Sequence, residues 1–221
     1  MKKIDMEAWD RKSHFEWFSS FADPTFALDV KMDITNLLEY CSDKSLSSYA
    51  VIMYVICQCM NENKSFLLRV LGGDVVEIDR ANVAYTIMTN ESTFVNCRAN
   101  LKNGFVTYMD DVKNNQKQYH MQNYKQEKYN DLVIVDDIYC SCVPWVNFIS
   151  AKQQIPDKSD ENRSIPRACW GKYYTEGERT YMTLNITANH ALVDGRDMSI
   201  VFNDIQLAFD NPQKFFSKDF K

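Results

Sequence analysis

The segment NITANHALVDGRD, residues 185–197, contains one of the chain's three histidines at a position suited to chemistry. His190 follows a run in which apolar and polar residues alternate, and Asp194 and Gly195 come shortly after it. An imidazole at the end of a strand is suited to general-base catalysis, because its pKa of about 6.5 lets it accept and return a proton near neutral pH. The residues alone leave a second interpretation open, which is a structural histidine at the end of a strand.

The elements on either side of His190 are predicted from their periodicity. Alternation over residues 182–187 predicts a strand that ends near Ala188. Apolar residues at helical spacing predict a helix over residues 196–209, with Asp197 as its candidate cap. Gly195 permits a tight turn between the two elements, so that the imidazole would lie at an edge of the sheet.

The rest of the chain predicts a mixed α/β fold with a large sheet and helices on one side of it. Helices are predicted over residues 8–21, 45–63 and 110–129, with Thr35 as a possible cap of another. Strands are predicted over residues 26–32, 66–71, 74–79, 82–88, 92–100, 104–109 and within 131–150, and an exposed loop over 152–164. The length of 221 residues suits a single domain, residues 1–221, and no internal repeat is present.

Composition and charge argue against several classes of function. The net charge is −5 and Lys and Arg form no long blocks, so we expect no binding to nucleic acid. No apolar run reaches the ~18 residues of a membrane-spanning helix. The N-terminus lacks the apolar core of a signal peptide, which predicts a cytoplasmic protein.

The cysteines and histidines do not have the spacing of a metal site. Cys57 with Cys59 and Cys140 with Cys142 form C-x-C pairs, not the C-x-x-C pairs of zinc or redox motifs. The other two histidines lie far from His190 in the sequence, so metal binding is the weaker interpretation of that residue. We expect buried free thiols in a reducing compartment and no bound metal.

Four segments together resemble the chloramphenicol acetyltransferase family, which belongs to the coenzyme-A-dependent acyltransferases. The segment HALVDG, residues 190–195, is similar to the family's H-x-x-x-D-G signature. The other three are WDRKSHFEWF (9–18), SCVPWVNF (141–148) and GKYYTEG (171–177), and all four follow the family's order. The histidine motif alone is loose, but the set is fairly specific and covers nearly the whole chain.

The resemblance implies an enzyme that transfers acetyl from acetyl-CoA to a hydroxyl group, with chloramphenicol as the default acceptor and antibiotic resistance as a consequence. It also implies a homotrimer of α/β subunits with active sites between neighbouring subunits. His190 would be the general base and Ser141 would donate a hydrogen bond to the oxyanion. Asp194 and Arg11 would form a buried ion pair that shapes the site, and Lys172 would lie near the phosphates of CoA.

Three further positions match residues of the family that contact the substrate. Phe94 matches a pocket residue, Phe18 stands where tyrosine is frequent, and Cys169 stands where a threonine commonly holds an ordered water. A thiol is a weak hydrogen-bond partner, so a modest loss of rate is expected from Cys169. Asn189 replaces the first of two adjacent histidines, whereas the base itself is kept. Each of these side chains also has an ordinary structural interpretation in a core or on a surface.

The acceptor end departs further from the family. Ala151 and Gln153 fall where Phe and Leu are expected, and Arg167 falls near an expected aliphatic residue. Two large apolar side chains contribute about 1.5–3 kcal/mol each when buried, so their loss predicts weaker binding of chloramphenicol. The alternatives are the same chemistry on a more polar alcohol or amine, a non-catalytic CoA-binding relative, and a trimeric scaffold that binds no CoA.

Overall fold

A seven-stranded mixed sheet forms the centre of the computed structural model, which describes residues 1–89, 93–120, 135–156 and 159–217. The strands are β1 (Lys2–Lys3), β2 (Thr25–Asp33), β3 (Leu68–Leu71), β4 (Asp74–Glu77), β5 (Asn82–Met88), β6 (Phe94–Ala99), β7 (Asp137–Val143), β8 (Arg167–Gly171), β9 (Tyr174–Glu176) and β10 (Arg179–Asn189). The helices are α1 (Lys12–Ser19), α2 (Thr35–Asp43), α3 (Ser48–Glu62), α4 (Gly104–His120), α5 (Asp160–Ser164), α6 (Gly195–Asp210) and α7 (Pro212–Phe216), with a 3-10 helix over Lys64–Leu67.

The large sheet has the order β2-β10-β8-β7-β5-β6, and β9 pairs with β10. Strands β5, β7 and β8 run parallel to one another, while the other pairs in this sheet are antiparallel. A separate three-stranded sheet joins β1, β4 and β3. The mixed α/β fold with a large sheet is therefore confirmed. The hairpin of β3 and β4 belongs to the small sheet, so it does not form a meander with β5 in the large one.

The two faces of the large sheet carry different residues. Met182, Leu184 and Ile186 of β10 share one face and are fully buried in the same apolar core as most of α3. The intervening residues of β10 and β8 point to the opposite face, where Asn185 is the register partner of Cys169. Because side chains alternate along a strand, the opposite face is the one on which a polar site can be built.

The buried helix predicted over residues 45–63 is present as α3. Ser47 caps it by accepting a hydrogen bond from the Ala50 amide at 3.5 Å. Most of its side chains are buried, as expected for a helix that is apolar nearly all round. Tyr49, at its first turn, donates a hydrogen bond from its hydroxyl to the Thr86 carbonyl at 3.1 Å, and this bond connects α3 to the sheet.

The strand predicted over residues 104–109 is wrong, because this segment is the first part of α4. Gly104 is the first residue of α4, and its φ of 84° lets the chain turn sharply at the start of the helix. Phe105, Tyr108 and Val112 are buried at helical spacing, whereas Val106 is exposed. The polar helix predicted over 110–129 overlaps α4 up to residue 120, and residues 121–129 lie outside the described residues.

Two predicted caps and the predicted loop are also corrected. Thr35 is the first residue of α2, where its hydroxyl donates to Asp33 Oδ1 at 2.7 Å and accepts from the Thr180 amide at 2.9 Å. Asp194 is the N-cap of α6, and Asp197 lies in the first turn. The predicted loop over 152–164 contains the short helix α5. Ser159 is the N-cap of this helix, and its hydroxyl accepts a hydrogen bond from the Asn162 amide at 3.3 Å.

None of the seven cysteines forms a disulfide, in agreement with the expected free thiols. Six of them are buried and Cys142 is half-buried. No helix within the described ranges is both long enough and apolar enough to cross a membrane.

Candidate active site

His190 is the first residue after β10. Its amide donates to the Pro24 carbonyl at 2.8 Å, which ties the exit of β10 to the residue that precedes β2. The imidazole is stacked on Phe18, with ring centroids 4.0 Å apart and planes inclined by 8°, and Phe26 contacts it at 4.3 Å. About a third of the side chain is exposed (32%). Two aromatic rings therefore hold the imidazole in place and leave part of it open to an approaching molecule.

Arg11 fixes the turn between β10 and α6. Both of its terminal nitrogens donate to the carboxylate of Asp194, with Nη2 at 2.7 Å from Oδ1. The same side chain donates from Nη2 to the His190 carbonyl at 2.8 Å and from Nε to the Ala191 carbonyl at 3.0 Å. The pKa of Asp194 lies below its ordinary value, chiefly because Arg11 donates hydrogen bonds to the carboxylate. We refer to Arg11, Phe18, Phe26, His190 and Asp194 as the histidine cluster.

The carboxylate of Asp194 is close to the imidazole but does not form a hydrogen bond with it. Asp194 Oδ1 lies 3.6 Å from His190 Nδ1, beyond normal hydrogen-bond distance. Nδ1 is buried and has no hydrogen-bond partner within the part of the chain that the structure describes. The orientation of the ring therefore comes from Phe18 and Phe26, while Arg11 and Asp194 position the backbone that carries it.

We expect Arg11→Met to lower the free energy of unfolding by about 2 kcal/mol, because it removes charge-assisted hydrogen bonds to Asp194 and to two carbonyls. Since the folded protein depresses the pKa of Asp194, the pair stabilises the fold fully above about pH 4 and less as pH falls further. Denaturant unfolding of wild type and variant across pH should show a gap that shrinks below that pH.

Lys12→Met is the matched control for Arg11→Met, because Lys12 is its neighbour in the chain and forms an exposed ion pair with Glu7. Its effect on stability should be far smaller, as is usual for surface pairs. A gap of equal size for the two variants at pH 7 would contradict the clamping role of Arg11.

Ser141 lies on β7, in the wall of a cavity of about 970 Å³. Two other predicted site residues, Phe94 and Lys172, also line it. We call it the serine cavity; its lining residues are Tyr49, Thr86, Ile87, Met88, Phe94, Gln116, Ser141, Cys142, Val143, Pro144, Trp145, Gly171, Lys172 and Tyr173. Its volume is within the range of sites that bind small molecules, and aromatic and apolar side chains predominate.

The segment after β7 folds back over the end of β8 and forms one wall of the serine cavity. The Lys172 amide donates to the Val146 carbonyl at 2.9 Å. A Cβ at Gly171 would lie 3.1 Å from both Phe148 and the Val146 carbonyl, so only glycine allows this close approach without displacement. The contact leaves Lys172 exposed at the cavity, where its ammonium is available to an anionic ligand.

Cys169 is on the same sheet face as Ser141 and is its register partner in β8. It is buried and is not among the residues that line the serine cavity. Burial raises the pKa of the Cys169 thiol to about 11, so the side chain is a neutral thiol at physiological pH. A direct contact of Cys169 with a substrate stays a prediction.

The histidine cluster and the serine cavity are separated within one chain. Ser141 is the register partner of Cys169 in β8, and Cys169 is in turn the register partner of Asn185 in β10. His190 lies five residues beyond Asn185, which is about 17 Å along the strand. A base and an oxyanion donor must each lie about 3 Å from the reacting atoms, so these two residues of a single chain do not serve one reaction together.

The sequence predicts Gln153 and Arg167 near the acceptor, but neither lines the serine cavity. Gln153 donates from its amide to Asn185 Oδ1 at 2.9 Å, so this side chain is part of an internal polar network. Asp29 Oδ1 accepts from the Ala151 amide at 3.1 Å in the same network. Arg167 is almost fully buried. Among the described residues, Gln153 therefore adds no polar group to the lining of the serine cavity.

Several residues at the two sites carry no signal in the sequence that marks them as functional. Tyr49 and Gln116 line the serine cavity, although nothing in their local pattern distinguishes them from other helix residues. Phe26 contacts the imidazole across the β2–β10 pair, and only the pairing register places it there. In the described residues, no group of three or more His, Cys, Asp or Glu side chains is placed to hold a metal ion.

Comparisons with known proteins show which family the sequence matches. The family model for chloramphenicol acetyltransferase matches residues 1–206. A chloramphenicol acetyltransferase of Proteus mirabilis is 30% identical over 210 residues, and the match covers 92% of each chain. One from Staphylococcus aureus is 27% identical over 206 residues, covering 92% of this chain and 93% of the relative.

Solved structures give the same fold. A chloramphenicol acetyltransferase structure superposes with a TM-score of 0.83 at 21% identity, covering 93% of this chain and 97% of the other. The dihydrolipoamide acetyltransferase of Azotobacter vinelandii superposes with a TM-score of 0.65 at 8% identity, covering 91% and 87%. At these identities the two superpositions show the fold of this chain.

Proposed function

Because the chain belongs to the chloramphenicol acetyltransferase family and is an acyltransferase, we propose that it transfers the acetyl group of acetyl-CoA to a hydroxyl of a small molecule. Chloramphenicol is the first acceptor to consider, because it is named in the relatives on which family membership depends. The observation that carries the proposal is the position of His190, which is partly exposed at a strand end and held by Phe18 and Arg11.

The proposed reaction is a direct transfer without an acyl-enzyme. The imidazole of His190 takes the proton of the acceptor hydroxyl, and the oxygen attacks the carbonyl carbon of the thioester. The hydroxyl of Ser141 donates a hydrogen bond to the oxygen that becomes negative. When the carbon–sulfur bond breaks, the proton on the imidazole passes to the departing thiolate, which leaves as CoA and returns His190 to its neutral form.

The serine cavity suits the thioester arm of CoA. Lys172 is exposed at the cavity, and its ammonium can pair with a phosphate as a point charge. Tyr49, Trp145 and Tyr173 give the cavity an aromatic lining against which an extended, largely uncharged chain can pack. With CoA held there, the thioester would lie against Ser141 on the wall of the cavity.

We further propose that each active site combines two chains. The register places His190 about 17 Å along the sheet from the level of Ser141, so a complete site needs the histidine cluster of one subunit beside the serine cavity of another. Such an interface joins two different surfaces of the subunit, and a closed ring is the arrangement that satisfies every copy. A homotrimer is the proposed ring.

The proposal is tested by following release of the CoA thiol when the purified protein is mixed with acetyl-CoA and chloramphenicol. We expect release that depends on the acceptor, together with O-acetylated chloramphenicol detected by mass spectrometry. Omitting the acceptor controls for hydrolysis of the thioester. Binding of CoA without transfer to chloramphenicol or to any alcohol in an acceptor panel would instead favour a non-catalytic CoA-binding protein.

A further inference from the structure

Residues 144–151, which follow β7 and form one wall of the serine cavity, belong to no helix or strand. We call them the wall segment. Its Val146 amide donates to the Val143 carbonyl at 3.5 Å, and the Val146 carbonyl accepts from the Lys172 amide at 2.9 Å. Within the described ranges, residues 147–151 make no hydrogen bond from backbone to backbone. The far end of the wall segment therefore depends on bonds to side chains.

A cross-strand pair on the large sheet supplies those bonds. Asp29 of β2 and Asn185 of β10 are register partners, and we call them the clamp pair. The Ala151 amide donates to Asp29 Oδ1 at 3.1 Å, and the Ala151 carbonyl accepts from Asn185 Nδ2 at 2.8 Å. The Ser150 hydroxyl donates to Asp29 Oδ2 at 2.9 Å. Both backbone polar groups of Ala151 are thus bonded to the clamp pair.

The clamp pair is itself held by further hydrogen bonds. Asn185 is fully buried, and its Nδ2 also donates to Asp29 Oδ1 at 2.9 Å. Asn185 Oδ1 accepts from Gln153 Nε2 at 2.9 Å and from the Thr187 hydroxyl at 3.2 Å. A buried amide whose oxygen and nitrogen both have partners is fixed in one orientation. Gln153, which the sequence predicts near the acceptor, therefore supports the clamp pair.

The other end of the wall segment is attached to the end of β8. Val146 is bonded there to the Lys172 amide, and the Phe148 ring lies 3.1 Å from the position of a Cβ at Gly171. Ala151 follows Phe148 by only three residues. Releasing Ala151 from the clamp pair would let Phe148 withdraw from Gly171 and would loosen the bond between Val146 and Lys172.

We propose that Asp29 and Asn185 are positioning residues for acetyl-CoA, because they hold the wall segment where Trp145 and Lys172 contact the cofactor in the serine cavity. The inference rests on the proposed binding of acetyl-CoA in that cavity. Ser141 should stay in place without the clamp pair, since the pairing of β7 with β8 sets its position. The clamp pair therefore acts on the KM for acetyl-CoA and not on kcat.

The kinetic experiment compares substitutions at two aspartates of β2. Asp29→Ala should raise the KM for acetyl-CoA about fivefold and leave kcat within about twofold. Asp29→Asn keeps an oxygen for Ala151 and Asn185 and should restore the wild-type KM. Asp33→Ala is the matched control, because Asp33 bonds to Thr35 and Arg179 instead of the wall segment. It should lower the Tm and leave the KM unchanged.

Hydrogen exchange followed by NMR gives a readout that does not depend on activity. In Asp29→Ala the amides of Ala151 and Lys172 should exchange about tenfold faster than in wild type, and in Asp29→Asn at nearly the wild-type rate. The Lys172 amide is the sharper probe, because it bonds to Val146 and not to Asp29. Should Asp29→Ala fail to fold, Asp29→Val replaces it, because valine is favoured in strands and has no polar group.

Three results would overturn the proposal. They are equal rises in KM for Asp29→Ala and Asp33→Ala, the same loss in Asp29→Asn as in Asp29→Ala, and faster exchange in Asp29→Ala with an unchanged KM.

The same measurements keep this proposal apart from acetyl transfer. If wild-type protein binds CoA but transfers no acetyl group, acetyl transfer fails. The Kd of CoA from titration calorimetry, expected to rise about fivefold in Asp29→Ala, then decides the role of the clamp pair. If acetyl transfer proceeds while Asp29→Ala changes neither the KM nor the exchange rates, the clamp pair is rejected and acetyl transfer stands.

Discussion

His190→Ala should lower kcat for acetyl transfer by about 10²–10⁴-fold, because it removes the group that takes the proton of the acceptor hydroxyl. The KM for acetyl-CoA should change little, since the thioester arm is expected in the serine cavity and His190 does not line it. Steady-state kinetics of thiol release with saturating acceptor will measure both quantities.

Stability should not account for that loss, because the imidazole makes ring contacts with Phe18 and Phe26 and no side-chain hydrogen bond within the described residues. Removing such contacts costs about 1 kcal/mol each, which leaves a folded protein that unfolds somewhat earlier. Phe18→Leu is the control for the lost ring contacts, because it removes the ring that stacks on the imidazole and keeps the base. Release of CoA at equal rates by His190→Ala and wild type would remove the imidazole from the mechanism.

The region around His190 was predictable because three local patterns agree there. Strict alternation before residue 189, a turn that contains Gly195, and helical spacing afterwards describe β10, the turn and α6 with small errors at the ends. The segment 104–109 was not predictable in this way. Its apolar and polar residues fit a strand as well as a helix, and the choice is made by the burial of Phe105 and Tyr108 against other elements.

The residues of the candidate site were found from the motifs, but their arrangement was not. Motifs name Ser141 and His190 without stating which strands pair or in what register. The separation between them follows from the pairing of β7 with β8 and of β8 with β10, which depends on contacts distant in sequence. For the same reason the burial of Arg167 against Tyr139 could not be derived from its neighbours in the chain.

Ser141→Ala should lower kcat by about 10²–10³-fold, the usual cost of losing one donor to a developing oxyanion. The substitution removes a single oxygen from a strand residue, so the fold and the KM for acetyl-CoA should be nearly unchanged. Cys169→Ala is the matched control on the neighbouring strand and the same sheet face, and it should change kcat only slightly because a thiol is a weak donor. Equal effects of the two variants would indicate that Ser141 contributes packing alone.

Combining the two inactive variants tests whether one site uses residues of two chains. If His190 of one subunit acts beside Ser141 of the next, refolding equal amounts of His190→Ala and Ser141→Ala protein together should create intact sites. Random mixing in a closed ring gives an intact histidine and an intact serine at roughly a quarter of the interfaces, and thus about that fraction of wild-type activity. Within a single chain no such rescue is possible, because every chain carries one of the two lesions. Absence of rescue in mixtures shown to form mixed oligomers would therefore contradict the interface site.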